Sequence, residues 1–142
     1  MSATARCRDN GLPDVEAAIR AFEAGEIDPD RFDHEAHVRV VWCYLQRVPA
    51  AVTISRFTSA LRALTVRFGM PQKYHETISW FFIIVIADRV ARSAHRDWEG
   101  FRAENRELVE NSSALLRQHY SAGLLDSPEA RRRFVLPDLG VP

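Results

Sequence analysis

The feature of the sequence that most restricts the fold is the stretch 69–87, which reads GMPQKYHETISWFFIIVIA. From residue 78 to residue 87 it is apolar on almost every side of a helix, a pattern that predicts a helix surrounded by other helices. Pro71 can be accommodated only in the first turn of such a helix. We therefore expect a central helix over residues 71–96, with polar residues at both of its ends.

Other segments of the chain show the spacing of three and four between apolar residues that is typical of amphipathic helices. These segments cover residues 12–25, 34–47 and 50–68, and residues 98–120 predict one interrupted helix or two short ones. A final short helix is expected from Ser127 and Pro128, because serine caps helices and proline fits a first turn. No stretch alternates long enough to predict a strand.

A chain of 142 residues is the size of one domain and can bury a core without a disulfide. Asp33 is a suitable N-cap for the helix at residues 34–47, and Gly25 and Gly69 are suitable helix ends. We predict an all-α, single-domain bundle of five to six helices. Residues 1–11 and 137–142 lack periodicity or follow the last helix, and we expect them to be loose tails.

The formal net charge of the chain is zero, so it lacks the basic excess that is typical of nucleic-acid-binding proteins. Its beginning has no apolar core of signal-peptide length. The longest apolar run, residues 80–87, is much shorter than the roughly 20 residues that cross a bilayer. We expect a soluble cytoplasmic protein without a nucleic-acid or membrane partner. A homodimer is compatible with a small helical bundle that leaves an apolar face.

Three of the five histidines lie at two predicted helix starts. His34 and His37 are three residues apart, so their rings can point to the same side of one helix. His75 lies at the start of the central helix, which should run parallel to the helix at residues 34–47. Three neutral imidazoles with an open position are typical of catalytic zinc sites, and imidazole also suits iron, copper and nickel. The sequence thus predicts one divalent metal ion bound by these three histidines.

Polar side chains next to these histidines suggest a small metal-dependent enzyme. Glu35 and Glu76 directly follow a histidine, so either can act as a base or as an additional ligand. Tyr74 and Lys73, the one lysine of the chain, can orient a small anionic or carbonyl-bearing substrate. Three aromatic side chains are expected to wall the pocket: Trp42, Trp80 and Phe82.

Two other functions fit the same residues. The first is a metal-independent acid/base enzyme, of isomerase or cyclase type, that uses His75 and Glu76. The second is a non-catalytic helical module whose polar cluster binds an anion or a partner peptide. Histidines on an apolar stripe can also be purely structural, held by hydrogen bonds in the core.

The segments FDHEAHVRVVWCYLQR and KYHETISWF resemble a group of small bacterial helical proteins of unassigned function. Proteins of that group share an F-x-H-x-x-H segment followed by a Y-H-E-T segment, and the resemblance covers about residues 31–91. Its motifs match the following positions of this chain: His34, His37, Tyr74, His75, Glu76 and Thr77. The resemblance therefore directs attention to these residues without implying a reaction.

Overall fold

The structure is a computed structural model that describes residues 12–140. Its first half contains four helices, α1 (Leu12–Glu23), α2 (His34–Leu45), α3 (Ala50–Arg67) and α4 (Glu76–Arg92), with a short 3₁₀ helix at Pro71–Lys73 before α4. Its second half contains five short ones, α5 (Trp98–Glu104), α6 (Arg106–Glu110), α7 (Ser112–Arg117), α8 (Ala122–Leu125) and α9 (Pro128–Arg132). The described residues form no strand. The all-α prediction is confirmed, with more and shorter helices than expected.

The central helix of the bundle is α4, as the sequence predicts. It packs against α2, α3 and α9, and it buries Phe81, Ile83 and Ile86 almost completely. It starts at Glu76, five residues later than expected, because Pro71 begins the 3₁₀ turn instead and His75 takes the N-cap position. One side of the helix is open, since Ile84 keeps 38% of its surface exposed.

The predicted boundaries of the first three helices are confirmed at their capping residues. The Asp33 carboxylate accepts a hydrogen bond from the Ala36 backbone N–H at 3.0 Å and caps α2. Gly25 and Gly69 follow α1 and α3 with φ angles of 74° and 72°, a left-handed conformation that favours glycine. These three positions therefore set one end each of α1, α2 and α3.

The region predicted as one or two helices over residues 98–120 is divided into α5, α6 and α7 by two asparagines. Asn105 and Asn111 share a non-helical backbone conformation, with φ near −125° and −137° and ψ of 46° at both. The buried Asn105 amide donates to the Phe101 carbonyl at 2.9 Å and accepts from Arg89 at 2.8 Å. Because its side chain bonds to the preceding turn, Asn105 competes with helix propagation. Asn111 holds the N-cap position of α7.

The segment after α9 is attached to the bundle. The Tyr120 hydroxyl donates to the Val135 carbonyl at 2.6 Å, and the Asp138 carboxylate accepts from both the backbone and the hydroxyl of Ser121 at 2.8 and 2.6 Å. The expected tail at 137–142 is therefore fastened to α7 and α8 as far as residue 140. Residues 1–11 and 141–142 lie outside the described residues.

None of the helices between residues 12 and 140 combines the length and the apolar character that a membrane span requires.

Candidate functional site

A cavity of about 420 Å³ lies between α2, α3 and α4. Residues of the loop before α2 and of the 3₁₀ turn before α4 also line it. It is lined mainly by apolar side chains, with a few polar ones: Ile27, Pro29, Phe32, Asp33, His34, His37, Val38, Val41, Phe57, Leu61, Leu64, Thr65, Phe68, Met70, Lys73, Tyr74, His75, Ile78, Ser79, Phe82, Ile83 and Ile86. All three predicted metal ligands reach this cavity, as expected if α2 and α4 begin at the same end of the bundle. A concave, mainly apolar site with a few polar groups is the usual form of a small-molecule pocket.

Of the three predicted metal ligands, His37 is the one whose ring nitrogens have no hydrogen-bonding partner among residues 12–140. Its ring packs against Phe32, with 4.2 Å between the ring centroids, and edge-on against Phe57 at 6.2 Å. Burial, followed by the nearby charge of His34, lowers the pKa of His37 to about 4. The ring is therefore neutral at pH 7, with one N–H donor and one nitrogen lone pair.

His34 lies one turn before His37 and contacts both the cavity and the C-terminal half of the chain. Its Nε2 lies 3.0 Å from the Leu108 carbonyl oxygen, an acceptor, so Nε2 carries the proton and Nδ1 keeps a lone pair. Phe82 packs edge-on against the ring at 4.9 Å. Burial lowers the pKa of His34 despite the hydrogen bond to Leu108, which favours the same neutral form.

His75 uses both ring nitrogens to hold the start of α4. Its Nδ1 accepts a hydrogen bond from the Ile78 backbone N–H at 3.2 Å, and its Nε2 donates to the Leu125 carbonyl at 2.8 Å. The pair of bonds determines a neutral tautomer, because Nδ1 must offer a lone pair and Nε2 a proton. Burial lowers the pKa of His75 despite the hydrogen bond to Leu125, and this favours the same neutral form. In this arrangement His75 has no lone pair left for a metal ion or a substrate.

Tyr74 and Glu76, predicted as catalytic residues, bond to each other and to α3. The Tyr74 hydroxyl donates to the Glu76 carboxylate, and the Arg62 guanidinium donates to the same carboxylate oxygen at 2.9 Å. Arg62 also lies over the Tyr74 ring, 4.8 Å from its centroid. Burial and the bond to Glu76 raise the pKa of Tyr74 to about 12. Tyr74 borders the cavity, whereas Glu76 does not line it.

Thr77 completes the Y-H-E-T segment and fastens it to the chain after α9. Its hydroxyl donates to the Arg133 carbonyl at 2.8 Å and accepts from the Val135 backbone N–H at 3.1 Å. The side chain is fully buried. Together with His75 it ties the start of α4 to residues more than 45 positions later, so this part of the motif has a structural role in the fold.

Glu35 points away from the cavity. Arg102 on α5 donates to both of its carboxylate oxygens at 3.0 Å, and this hydrogen-bonded pairing lowers the pKa of Glu35. Lys73, by contrast, lies on the 3₁₀ turn, lines the cavity and is exposed. Its position is therefore at the mouth of the cavity.

The expected aromatic walls are confirmed for Phe82 and wrong for the two tryptophans. Trp42 packs edge-on against Trp98 at 5.9 Å on another side of α2. Trp80 stacks on Phe134 at 5.2 Å. The apolar stripes of α2 and α4 extend round more than one face, so aromatic residues on them serve different interfaces. The loop residue Phe32, which packs on His37, was not among the expected wall residues, although it is the first residue of the F-x-H-x-x-H segment.

No three His, Cys, Asp or Glu side chains within residues 12–140 form a group that could hold a metal ion. Among the three cavity histidines, the ring nitrogens that a metal ion could use without breaking a hydrogen bond are those of His37 and Nδ1 of His34. Binding through His75 would require breaking its bond to either Ile78 or Leu125. The three-histidine metal site therefore remains a prediction, and these side chains fit a two-histidine site better.

Comparison of the chain with models of protein families, with curated proteins and with solved structures finds no match.

Proposed function

We propose that the cavity binds a small, largely apolar molecule and that His37 recognises the polar group of that molecule. The observation that carries the proposal is the position of His37, a neutral imidazole facing an apolar cavity with both nitrogens free of hydrogen bonds to residues 12–140. A hydrogen bond between the His37 ring and a ligand contributes roughly 0.5–1.5 kcal/mol net. His37 therefore favours a ligand with a hydrogen-bonding group over one that is wholly apolar.

The same ring is better suited to binding than to general-base catalysis. A general base is most effective when its pKa lies near the working pH, whereas burial holds the pKa of His37 at about 4. The other predicted acid/base residues are engaged elsewhere, since His75 caps α4 and Glu76 is paired with Arg62. We therefore favour a ligand-binding protein over a metal-independent isomerase or cyclase.

Ligand binding is tested with two matched probes, 2-naphthol and naphthalene, which differ only by a hydroxyl group. We expect 2-naphthol to bind about threefold to tenfold more tightly, as one hydrogen bond contributes roughly 0.5–1.5 kcal/mol. Calorimetric titration of wild type and His37→Leu measures the difference, which should disappear in the variant. Failure of both probes to bind, or an unchanged preference for 2-naphthol in His37→Leu, would contradict the proposal.

Two further variants serve as controls for this experiment. Glu35 is on the same helix as His37 but does not line the cavity. The Glu35→Gln variant should therefore bind 2-naphthol as the wild type does. Val41→Phe places a larger side chain in the cavity and should abolish binding while circular dichroism shows an intact helical fold. Retained binding in Val41→Phe would place the ligand elsewhere.

A metal-dependent enzyme is the second candidate, and the tautomer of His34 supports it. Histidines that bind metal usually donate their other N–H to a carbonyl or carboxylate, as His34 does to Leu108. His34 and His37 would hold one zinc, iron, copper or nickel ion, and the ion would act as a Lewis acid or a redox centre. Glu35, in its ion pair with Arg102, lies outside such a site.

Elemental analysis after reconstitution with each of the four metals tests this candidate. A two-histidine site predicts near-stoichiometric metal in the wild type, lost in His34→Ala and His37→Ala. Metal should be retained in His75→Asn, where asparagine can still cap α4. Loss of metal in a folded His75→Asn variant would support the three-histidine site instead, and a wild type without metal would rule out both.

A further inference from the structure

We infer that the ligand of the cavity is an apolar monocarboxylate, with its carboxylate at Lys73 and a hydrogen-bond donor group at His37. This inference rests on the proposed function, because it names the class of ligand for the same cavity. Two features of the cavity support it. One is the set of hydrogen-bond donors and acceptors that remain unused on the lining side chains, and the other is the charge at the mouth.

Inside the cavity most donors are already used. The hydroxyls of Thr65, Tyr74 and Ser79 donate to the Arg62 carbonyl, the Glu76 carboxylate and the His75 carbonyl. Each hydroxyl keeps lone pairs, and so do His37 and Nδ1 of His34. The interior thus offers several acceptors and one uncommitted imidazole N–H. A ligand hydroxyl or N–H fits this interior, whereas a carboxylate placed there would meet almost no donors.

At the mouth, Lys73 is a cation without a carboxylate partner among residues 12–140. The nearest acidic residue in sequence, Glu76, is already paired with Arg62 at 2.9 Å. The turn that carries Lys73 is held by Arg131, whose guanidinium donates to the Gln72 and Tyr74 carbonyls at 2.7 and 3.4 Å. The guanidinium of Arg131 also adds positive charge beside the turn. An anionic group entering the mouth therefore meets an available ammonium, carried by a turn whose backbone Arg131 holds in place.

The mouth also carries one negative charge, which limits the anion to a single charge. Asp33 lines the cavity and is exposed, and its carboxylate caps α2 through Ala36. Lys73 and Asp33 both line the cavity and are both exposed, so the site has one ammonium to offer and a carboxylate that repels a second charge. A phosphate, with about two charges at pH 7 and three acceptor oxygens, would lack donors here. A monocarboxylate matches the single ammonium.

The test uses 6-hydroxy-2-naphthoate and its methyl ester, which share the ring and the hydroxyl and differ in charge. We expect the carboxylate to bind the wild type about threefold to fivefold more tightly than the ester, as a partly exposed ion pair contributes up to about 1 kcal/mol. The preference should disappear in Lys73→Gln, persist in Lys73→Arg and decrease at high salt. Asp33→Asn, which keeps a capping side chain, should increase it.

The results separate this inference from the proposal it rests on. Equal affinities for carboxylate and ester in the wild type, or a carboxylate preference that Lys73→Gln leaves unchanged, would overturn the role of Lys73. In that case 2-naphthol would still bind through His37 and the proposed function would stand. If 2-naphthol, 6-hydroxy-2-naphthoate and its methyl ester all fail to bind, the proposed function itself is overturned.

Discussion

Replacing Thr77 with valine is expected to destabilise the protein by about 2–4 kcal/mol. The hydroxyl of Thr77, which is fully buried, joins the Arg133 carbonyl and the Val135 N–H to α4. Valine has nearly the same shape and provides neither a donor nor an acceptor. Two backbone polar groups would lose their partner, one of them the Val135 N–H in a buried residue. Urea unfolding followed by circular dichroism measures the loss.

Thr53→Val is the matched control for this substitution. Thr53 is also 0% exposed, but its hydroxyl donates to the Pro49 carbonyl within its own helix at 3.1 Å. That carbonyl already accepts the Thr53 backbone N–H at 2.9 Å, so it keeps a partner after the change. We expect a cost below about 1 kcal/mol. Equal costs at both positions would mean that the bonds of Thr77 to the C-terminal segment are not what stabilises it.

The protein is expected to lose about 3 kcal/mol of unfolding free energy through His37 alone as the pH falls from 7 to 4. The pKa of His37 is lowered from 6.5 to about 4 in the folded state, and each pH unit corresponds to about 1.4 kcal/mol. Between these values the unfolded chain binds a proton that the folded protein excludes. Stability therefore declines as the pH drops below 6.5, and the contribution of His37 levels off near pH 4.

Urea unfolding at intervals between pH 7.5 and 4.5 measures this effect in wild type and in His37→Leu. The unfolding free energy of the variant should fall with decreasing pH by about 1 kcal/mol per pH unit less than that of the wild type. His34 and His75, whose pKa values are also lowered by burial, should leave a smaller slope of the same sign. The carboxylates whose pKa values are lowered by their arginine partners, such as Glu23 and Glu35, add a slope of the same sign at the acid end of this range, and it is common to both proteins. Identical slopes in the two proteins would show that His37 is accessible to protons in the fold.

Local signals in the sequence were sufficient to predict the first half of the fold. The N-cap at Asp33, the glycines at 25 and 69, and the apolar run in α4 each act through neighbouring residues. The break at Asn105 was harder to predict. Asparagine is compatible with a helix, and the buried bond between Asn105 and Arg89 exists only in the folded chain.

The candidate site was predictable in location but not in the state of its side chains. Two helix starts carrying histidines were enough to place His34, His37 and His75 at one cavity. Their hydrogen-bond partners are the backbone carbonyls of Leu108 and Leu125, and every residue has a carbonyl, so nothing in the sequence identifies these two. The difference between His75, with both nitrogens engaged, and His37, with neither, is therefore a property of the tertiary structure.

The long separation of these bonds along the chain also has a consequence for synthesis. The bonds of His34, His75 and Thr77 to later carbonyls span 74, 50 and 56 positions. At about 5–20 residues per second, a ribosome needs roughly 3 to 12 s to make 60 residues. Each histidine thus leaves the ribosome several seconds before the carbonyl that fixes its tautomer. The hydrogen bonds of His34, His75 and Thr77 are therefore completed only after residues 108, 125 and 133 have left the ribosome.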